Sequence, residues 1–315
     1  MSSSRFLVVG GAGFIGSHLV EELVRLGSVT VYDNLSVGKR EFLARAFATG
    51  RCELVEGDAL DLERLCEVAA GHDAAFHLSA NPEARHGLAN TRLDLEQGTI
   101  ATHNVLEALR RAHVPRLVLA SSGTVYGDTA QMCAEGDLGA LPISLYGASK
   151  LAAEALVSAY VECFGLRAVI ARFGNVVGPR GTHGAALDFL KKLEKDHDEL
   201  EVLGDGNQSK PYVHVSDCVG ALVHVFTRAE RALEVFNIAP RDATSVRRIA
   251  ELCVAVSPYP TARIRYTGGD RGWRGDVPTS RLDASKLEAA GFRLTHSSDQ
   301  AVEAAVRALA VEVFD

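Results

Sequence analysis

Tyr146-Gly147-Ala148-Ser149-Lys150 sets a phenol and an ammonium four residues apart. On a helix the two side chains share one face, so the ammonium can lie near the phenol. A tyrosine titrates near pH 10. Service as a base near neutrality needs a lowering of roughly two or three units, about 3–4 kcal/mol. Lys150 and a second positive charge beside the phenol can supply that together. Upstream, Ala120-Ser121-Ser122-Gly123-Thr124-Val125-Tyr126-Gly127 ends a strand with the hydroxyls of Ser122 and Thr124. Such a set suits proton removal from an alcohol. A Tyr-xxx-Lys pair alone is common on helix surfaces, so its weight comes from the elements that position it.

The first of those elements is Phe6-Leu7-Val8-Val9, an apolar run followed by Gly10-Gly11-Ala12-Gly13-Phe14-Ile15-Gly16. Beyond it Ile15, Leu19, Leu23 and Leu26 recur at helical spacing, so the period changes across the glycines from strand to helix. Gly10 permits the turn, Gly13 lets the backbone approach a pyrophosphate, and Gly16 packs helix against strand. With Phe14 and Ile15 they open a helix whose free N–H groups and dipole favour an anion. Val29-Thr30-Val31-Tyr32 predict a second strand ending in Asp33, about where an acid meets a cofactor ribose, roughly 20 residues on. The carboxylate repels a 2′-phosphate and therefore favours NAD over NADP. Lys39 and Arg40 lie close by and temper that preference.

Alternation of strand and helix continues through the first half. Cys52 to Glu56, Ala74 to Leu78, Arg116 to Ser121 and Ala168 to Arg172 are expected as strands. Asp61 to Ala70, Thr91 to Ala112 and Leu145 to Phe164 are expected as helices. The pattern implies an α/β fold of Rossmann type, a doubly wound parallel sheet with ligands at the carboxyl ends of its strands. After Asn175 the chain becomes turn-rich and predicts a smaller α/β substrate-binding region on the C-terminal side. The expected division is 1–175 for the NAD-binding domain, which also receives part of 212–240, and 176–315 for the substrate region.

Composition narrows the function classes. The 315 residues are 47% hydrophobic, enough for a full core, and carry a net charge of −7 without a basic footprint for nucleic acid. No apolar run is long enough to span a bilayer, and Met1 to Arg5 lead into the first strand without signal-peptide anatomy, so a cytoplasmic enzyme is expected. Six cysteines without a CxxC pair suggest reduced, mostly buried thiols. Eleven scattered histidines form no zinc pattern, and no metal is expected.

Together these stretches resemble the extended short-chain dehydrogenase/reductases and, within them, the nucleotide-sugar 4-epimerases. The likeness covers essentially the whole chain. Beyond the segments above it includes Tyr32-Asp33-Asn34-Leu35-Ser36, Gly57-Asp58, His77-Leu78-Ser79-Ala80 and Arg172-Phe173-Gly174-Asn175-Val176-Val177-Gly178-Pro179-Arg180. The C-terminal part adds Gly204-Asp205-Gly206-Asn207-Gln208, Tyr212-Val213-His214-Val215-Ser216-Asp217 and the stretch from Gly269 to Pro278. The resemblance implies that Asp58 lies by the adenine, with Asn34 and Ser36 as further cofactor contacts. Leu78, Ser79 and Ala80 would line the cofactor, with Lys150 on the nicotinamide ribose and Phe173 against the nicotinamide. It further implies that Ser122, with Thr124 beside it, binds the sugar O4 and that Tyr146 removes its proton. Asn175 is implied as a substrate contact, Glu201-Val202-Leu203 as the uracil edge site, and Arg271 or Arg274 as the diphosphate clamp. Lys210 stands where many relatives carry arginine, and lysine acts there as a point charge.

The activity so implied is C4 epimerisation of a UDP-hexose through a 4-keto sugar, with NAD retained through turnover and a homodimer formed through the helices around 91–112 and 145–164. Dehydratases of this kind carry an Asp-Glu pair, and decarboxylases a glutamate, where this chain has Gly123 and Thr124. A reductase that releases its cofactor, and a non-catalytic NAD-binding sensor on the same fold, are the alternatives. Ser280 stands where a large aromatic residue in some relatives excludes bulky C2 groups. At C6 a hydroxymethyl group and a carboxylate are both open, that is, UDP-glucose/UDP-galactose or UDP-glucuronate/UDP-galacturonate. Arg85, His86, Thr182 and the serines of the 121–124 strand end are candidates to meet a carboxylate.

Overall fold

The computed structural model describes residues 4–137 and 141–314. Seven parallel strands form the central sheet. From one edge to the other they run Leu233–Ile238, Arg167–Phe173, Arg116–Ser122, Ala74–His77, Ser4–Val9, Gly27–Asp33 and Cys52–Glu56. The order reverses direction between Ser4–Val9 and Ala74–His77. At such a switch point the flanking loops part and leave a crevice.

The first strand shows why the sheet is covered on both faces. Phe6 and Val8 join one apolar cluster while Leu7 and Val9 join the other, as the two-residue period of a strand requires. Helices Phe14–Leu23 and Val215–Arg228 pack on the first face. Leu62–Ala69, Ala101–Arg111 and Leu145–Phe164 supply the second. The sheet receives its last strand, Leu233–Ile238, only after the chain has passed through part of the C-terminal region.

One expected helix differs. Over Thr91 to Ala112 the backbone is π-helical at Leu95–Ile100 before it becomes α-helical at Ala101–Arg111. This segment packs closely: a Cβ on Gly98 would lie 2.4 Å from Ser149 Oγ, on the helix that carries Tyr146 and Lys150. Thr102 Oγ1 donates to the Gly98 carbonyl at 2.6 Å and holds the widened turn. Leu145–Phe164 is a helix over its full expected length.

Beyond Phe173 three two-stranded pairs organise the rest. Asn175–Val177 runs parallel to Tyr212–His214, Glu199–Val202 parallel to Arg263–Tyr266, and Ser209–Lys210 antiparallel to Thr244–Ser245. Helices Ala185–Lys195, Val246–Val256 and Ser298–Phe314 close a separate apolar core around them. All six cysteines are free; Cys163 is exposed, and Cys52 and Cys66 are only half-buried, so burial is less general than composition suggested.

Candidate active site

A pocket of about 200 Å³ opens at the switch point. Its floor is the glycine turn. Gly10 has φ +81°, and a Cβ there would lie 2.6 Å from the backbone nitrogen of Ser79. A Cβ on Gly16 would lie 2.2 Å from the Gly10 carbonyl oxygen, which fixes glycine at the helix–strand contact. A Cβ on Gly13 would meet only the Gly10 oxygen, at 3.4 Å, and would otherwise project into open space that a ligand can fill. Gly13 also caps helix Phe14–Leu23 without any side-chain hydrogen bond, so the first N–H groups face the pocket unpaired by a cap. Phe14, Ile15, Asn34 and Ser36 line the same pocket, as do Leu78, Ser79 and Ala80 on the neighbouring strand end.

Asp33 ends the second strand with its carboxylate accepting from the nitrogens of Ala12 and Leu35, each at 2.9 Å. Burial pushes its pKa up, and these two N–H groups oppose the rise. Each oxygen keeps room for a further donor such as a ribose hydroxyl. Asp58 sits one position outside the lining; it accepts from Asn34 Nδ2 at 3.0 Å and so fixes a residue that does line the pocket.

Tyr146 lies in the first turn of Leu145–Phe164, whose cap is Ser144 accepting from Gly147 N at 3.1 Å. Gly147 permits that turn to press on the Ser122–Tyr126 segment, since a Cβ there would be 3.0 Å from the Thr124 carbonyl. Ser122 Oγ accepts from Thr124 N at 3.2 Å and Thr124 Oγ1 at 3.0 Å. The Ser122 hydroxyl proton therefore remains to be donated to the phenol or to a substrate oxygen. Lys150 Nζ is buried, donates to the Ala120 carbonyl at 2.9 Å and stands 5.7 Å from the centre of the Tyr146 ring.

In this state the phenol is not yet lowered. Burial pushes Tyr146 up to about 12, the bond with Ser122 pulls against it, and the Asp94 charge adds to the rise. Burial likewise pushes Lys150 down to about 8, with Glu154 and Asp94 partly restoring it. The groups that move the phenol are its burial, Ser122 and Asp94, so the lowering expected from Lys150 is not met here. A further positive charge brought beside the phenol would lower it.

A buried network that the sequence reading missed holds this constellation. Glu154, one turn beyond Lys150, accepts from Ser121 Oγ at 2.5 Å and from Arg172 Nε and Nη2 at 3.0 and 2.6 Å. Arg172 Nη1 donates to Tyr126 Oη at 2.8 Å, and that hydroxyl donates to Asn237 Oδ1 at 2.7 Å. Four segments of the molecule are locked together by it. The signal was present as a charge inside the apolar strand Ala168 to Phe173 and an acid four residues past Lys150.

The model of the family described as "NAD dependent epimerase/dehydratase family" matches residues 6–239. This chain belongs to that family. A putative UDP-glucose 4-epimerase of Methanocaldococcus jannaschii is 30% identical over 295 residues, 91% of this chain and 92% of the relative. The crystal structure of a UDP-galactose 4-epimerase superposes with a TM-score of 0.89 at 37% identity, covering 98% of this chain and 100% of the other. The UDP-glucose 4-epimerase of Thermus thermophilus in complex with NAD superposes at 0.85 with 28% identity, covering 97% and 98%. Decarboxylases and dehydratases also occur among the family relatives. As an epimerase/dehydratase family member the chain uses NAD, and the glycine cradle, the uncapped helix start and Asp33 fit that cofactor.

Against the cofactor pocket lies a second cleft of about 370 Å³, lined by Ser122, Thr124, Tyr146, Phe173 and Asn175 together with Arg85 and Lys210. Ser280 lines it too, while Thr182 lines the cofactor side. Lys210 is bound to Asp276 at 2.5 Å. Other expected contacts lie outside the lining. Val202 is fully buried in the C-terminal core, because alternate residues of strand Glu199–Val202 face inward, and its neighbour Leu203 lines the cleft instead. Arg271 is drawn aside by Asp128 at 2.7 Å and the Asp276 carbonyl at 2.9 Å, and Gly272 and Trp273 take its place. Arg274 is exposed and lines neither pocket. His86 begins the short helix His86–Ala89 and does not line either pocket. Glu83, Asp188, Lys192 and Asp276 line the cleft without having been singled out in the sequence.

Proposed function

We propose that the chain interconverts UDP-hexoses that are epimeric at C4, with NAD held through the cycle. The observation that carries this reading is the carboxylate inventory of the cleft. Glu83, Asp188 and Asp276 are each in an ion pair, with Arg85, Lys192 and Lys210, and the 122–124 strand end has only hydroxyls and a glycine. Dehydration or decarboxylation needs a further group to move a proton or release CO₂ beside the reacting ring. Epimerisation needs only one base.

In this reading Ser122 donates to the sugar O4 and Tyr146, as phenolate, takes the O4 proton. NAD, held by the glycine turn, Asp33 and Lys150, would supply the hydride chemistry at C4. Lys150 holds the cofactor ribose and adds positive charge near the phenol. Lys210 attracts the diphosphate, Asn175 orients the sugar, and the C-terminal region excludes water while the ketone turns over. Thr124, by donating to Ser122 Oγ, fixes which way the Ser122 proton points.

A homodimer completes the proposal. Leu95, Ile100, Leu145 and Phe164 are exposed on the two helical segments expected to pair, an apolar surface suited to a second copy. Light scattering on the purified protein tests this, and a monomer at micromolar concentration would remove it.

The test of the activity is incubation of the purified protein with a panel of UDP-sugars without added cofactor, resolving products by NMR. A C4 epimer is expected. Loss of water or CO₂, or no product from any sugar, would overturn the proposal.

A further inference from the structure

The cleft holds an acid whose geometry bears on which sugar can enter. Glu83 Oε1 accepts from Arg85 Nε at 3.1 Å and from the Arg85 backbone nitrogen at 3.3 Å, while Oε2 accepts from Nη2 at 3.0 Å. The guanidinium fork grips one carboxylate through such an edge, and here the edge is already taken from within the same loop. Of the guanidinium nitrogens, only Nη1 has no partner from Glu83. Asp188 and Asp276 also face the Arg85 charge. The other two cations of the cleft are bound to those acids, Lys192 to Asp188 at 3.1 Å and Lys210 to Asp276 at 2.5 Å.

Glu83 cannot readily withdraw. Asn81 Oδ1 accepts from Glu83 N at 3.2 Å and Asn81 Nδ2 donates to Glu83 O at 3.0 Å, clamping its backbone on both sides. The same Nδ2 donates to Asp94 Oδ1 at 3.0 Å, and both Asn81 and Asp94 are buried. Burial alone would raise the Glu83 carboxyl, but the Arg85 bonds outweigh it and hold the group ionised. The carboxylate is therefore a negative charge in the wall of the cleft, its backbone anchored by Asn81 and its side chain held by Arg85.

We propose that Glu83 makes this cleft selective for hexoses with an uncharged group at C6, and that it discriminates against a C6 carboxylate; the inference rests on the reading of the chain as a UDP-hexose 4-epimerase. A uronate would have to displace Glu83 from Arg85, leaving a half-buried carboxylate unpaired, or sit beside it on one remaining N–H. A hydroxymethyl group meets neither cost, since a hydroxyl can donate to a carboxylate and accept from Nη1. Selectivity of this kind comes from the repulsive element as much as from the attractive one.

The test compares NAD-loaded wild type with Glu83→Gln. Affinities for UDP-glucose and UDP-glucuronate are measured by calorimetry, and kcat/KM for each by NMR. Wild type is expected to favour UDP-glucose by about tenfold or more, the worth of one charge-assisted hydrogen bond. In Glu83→Gln the ratio should narrow by about tenfold, chiefly through tighter uronate binding, and Glu83→Asp should keep the preference for the neutral sugar. Equal or better binding of UDP-glucuronate by wild type overturns the inference, and so does an unmoved ratio in Glu83→Gln. Should neither sugar be epimerised, the catalytic reading fails while the binding ratios still decide the role of Glu83. If Glu83→Gln does not fold, Glu83→Ala is measured in its place and read by the same ratio.

Discussion

The two halves of the site recognise their ligands by different means. The cofactor pocket works almost wholly with backbone: three glycines, an uncapped helix start and one carboxylate that itself accepts from backbone N–H groups. The substrate cleft works with side-chain charges, and every acid in it is paired with a base. Backbone recognition tolerates no added atom, whereas paired charges can exchange partners. One half should therefore fail sharply when changed and the other should shift by degrees.

The largest expected effect falls where the halves meet. Tyr146→Phe should lower kcat by about 10²–10⁴-fold, the usual range for a lost acid–base group, while bound NAD and the thermal midpoint stay near wild type. Normal turnover would remove Tyr146 from the chemistry. On the backbone side, Gly16→Ala adds a carbon 2.2 Å from the Gly10 oxygen. It should cost about 1–3 kcal/mol by denaturant titration, and the protein should purify without NAD. Retained cofactor at full stability would break the contrast drawn above. On the charge side, Lys210→Met should raise KM by about tenfold with a smaller change in kcat, because a diphosphate contact is lost and the freed Asp276 repels it. A fall in kcat alone would place Lys210 elsewhere.

The smallest effect is one of pH. In the proposed mechanism the phenolate is the active form, so the rate is expected to rise with pH through the Tyr146 pKa. The Asp94 charge raises that pKa, so Asp94→Asn should move the acid limb of kcat/KM to lower pH, by less than about one unit. A shift in the opposite direction would show that Asp94 acts by another route.

What the sequence made legible follows the same line. Glycines 10, 13 and 16 are close in the chain and their spacing states a backbone geometry, so the cofactor pocket could be drawn before any coordinates. Tyr146 and Lys150 share a helix face for the same local reason. Arg271 and Val202 could not be placed this way. Whether an arginine meets a ligand depends on what else competes for it, and Asp128 is 143 residues away in sequence. Val202 and Leu203 differ only by which side of a short strand each faces. Arg85 was found, but its meaning was set by Glu83, two residues earlier, whose side chain could equally have pointed to solvent. The Glu154–Arg172–Tyr126–Asn237 network spans four segments and had no local signature beyond one charge in an apolar strand.

The edge strand Leu233–Ile238 has a mechanical consequence. It ties the later part of the chain to the sheet through its ladder with Arg167–Phe173 and through the Tyr126–Asn237 bond. Swinging the C-terminal region away as a rigid flap would mean unzipping that ladder. Glu83 and His183, which both line the cleft, are carried by loops outside that ladder. By the same token a fragment cut after residue 175 would not be a minimal cofactor domain. It would expose Arg167–Phe173 as a raw, buried-type edge, adhesive toward any strand of another molecule.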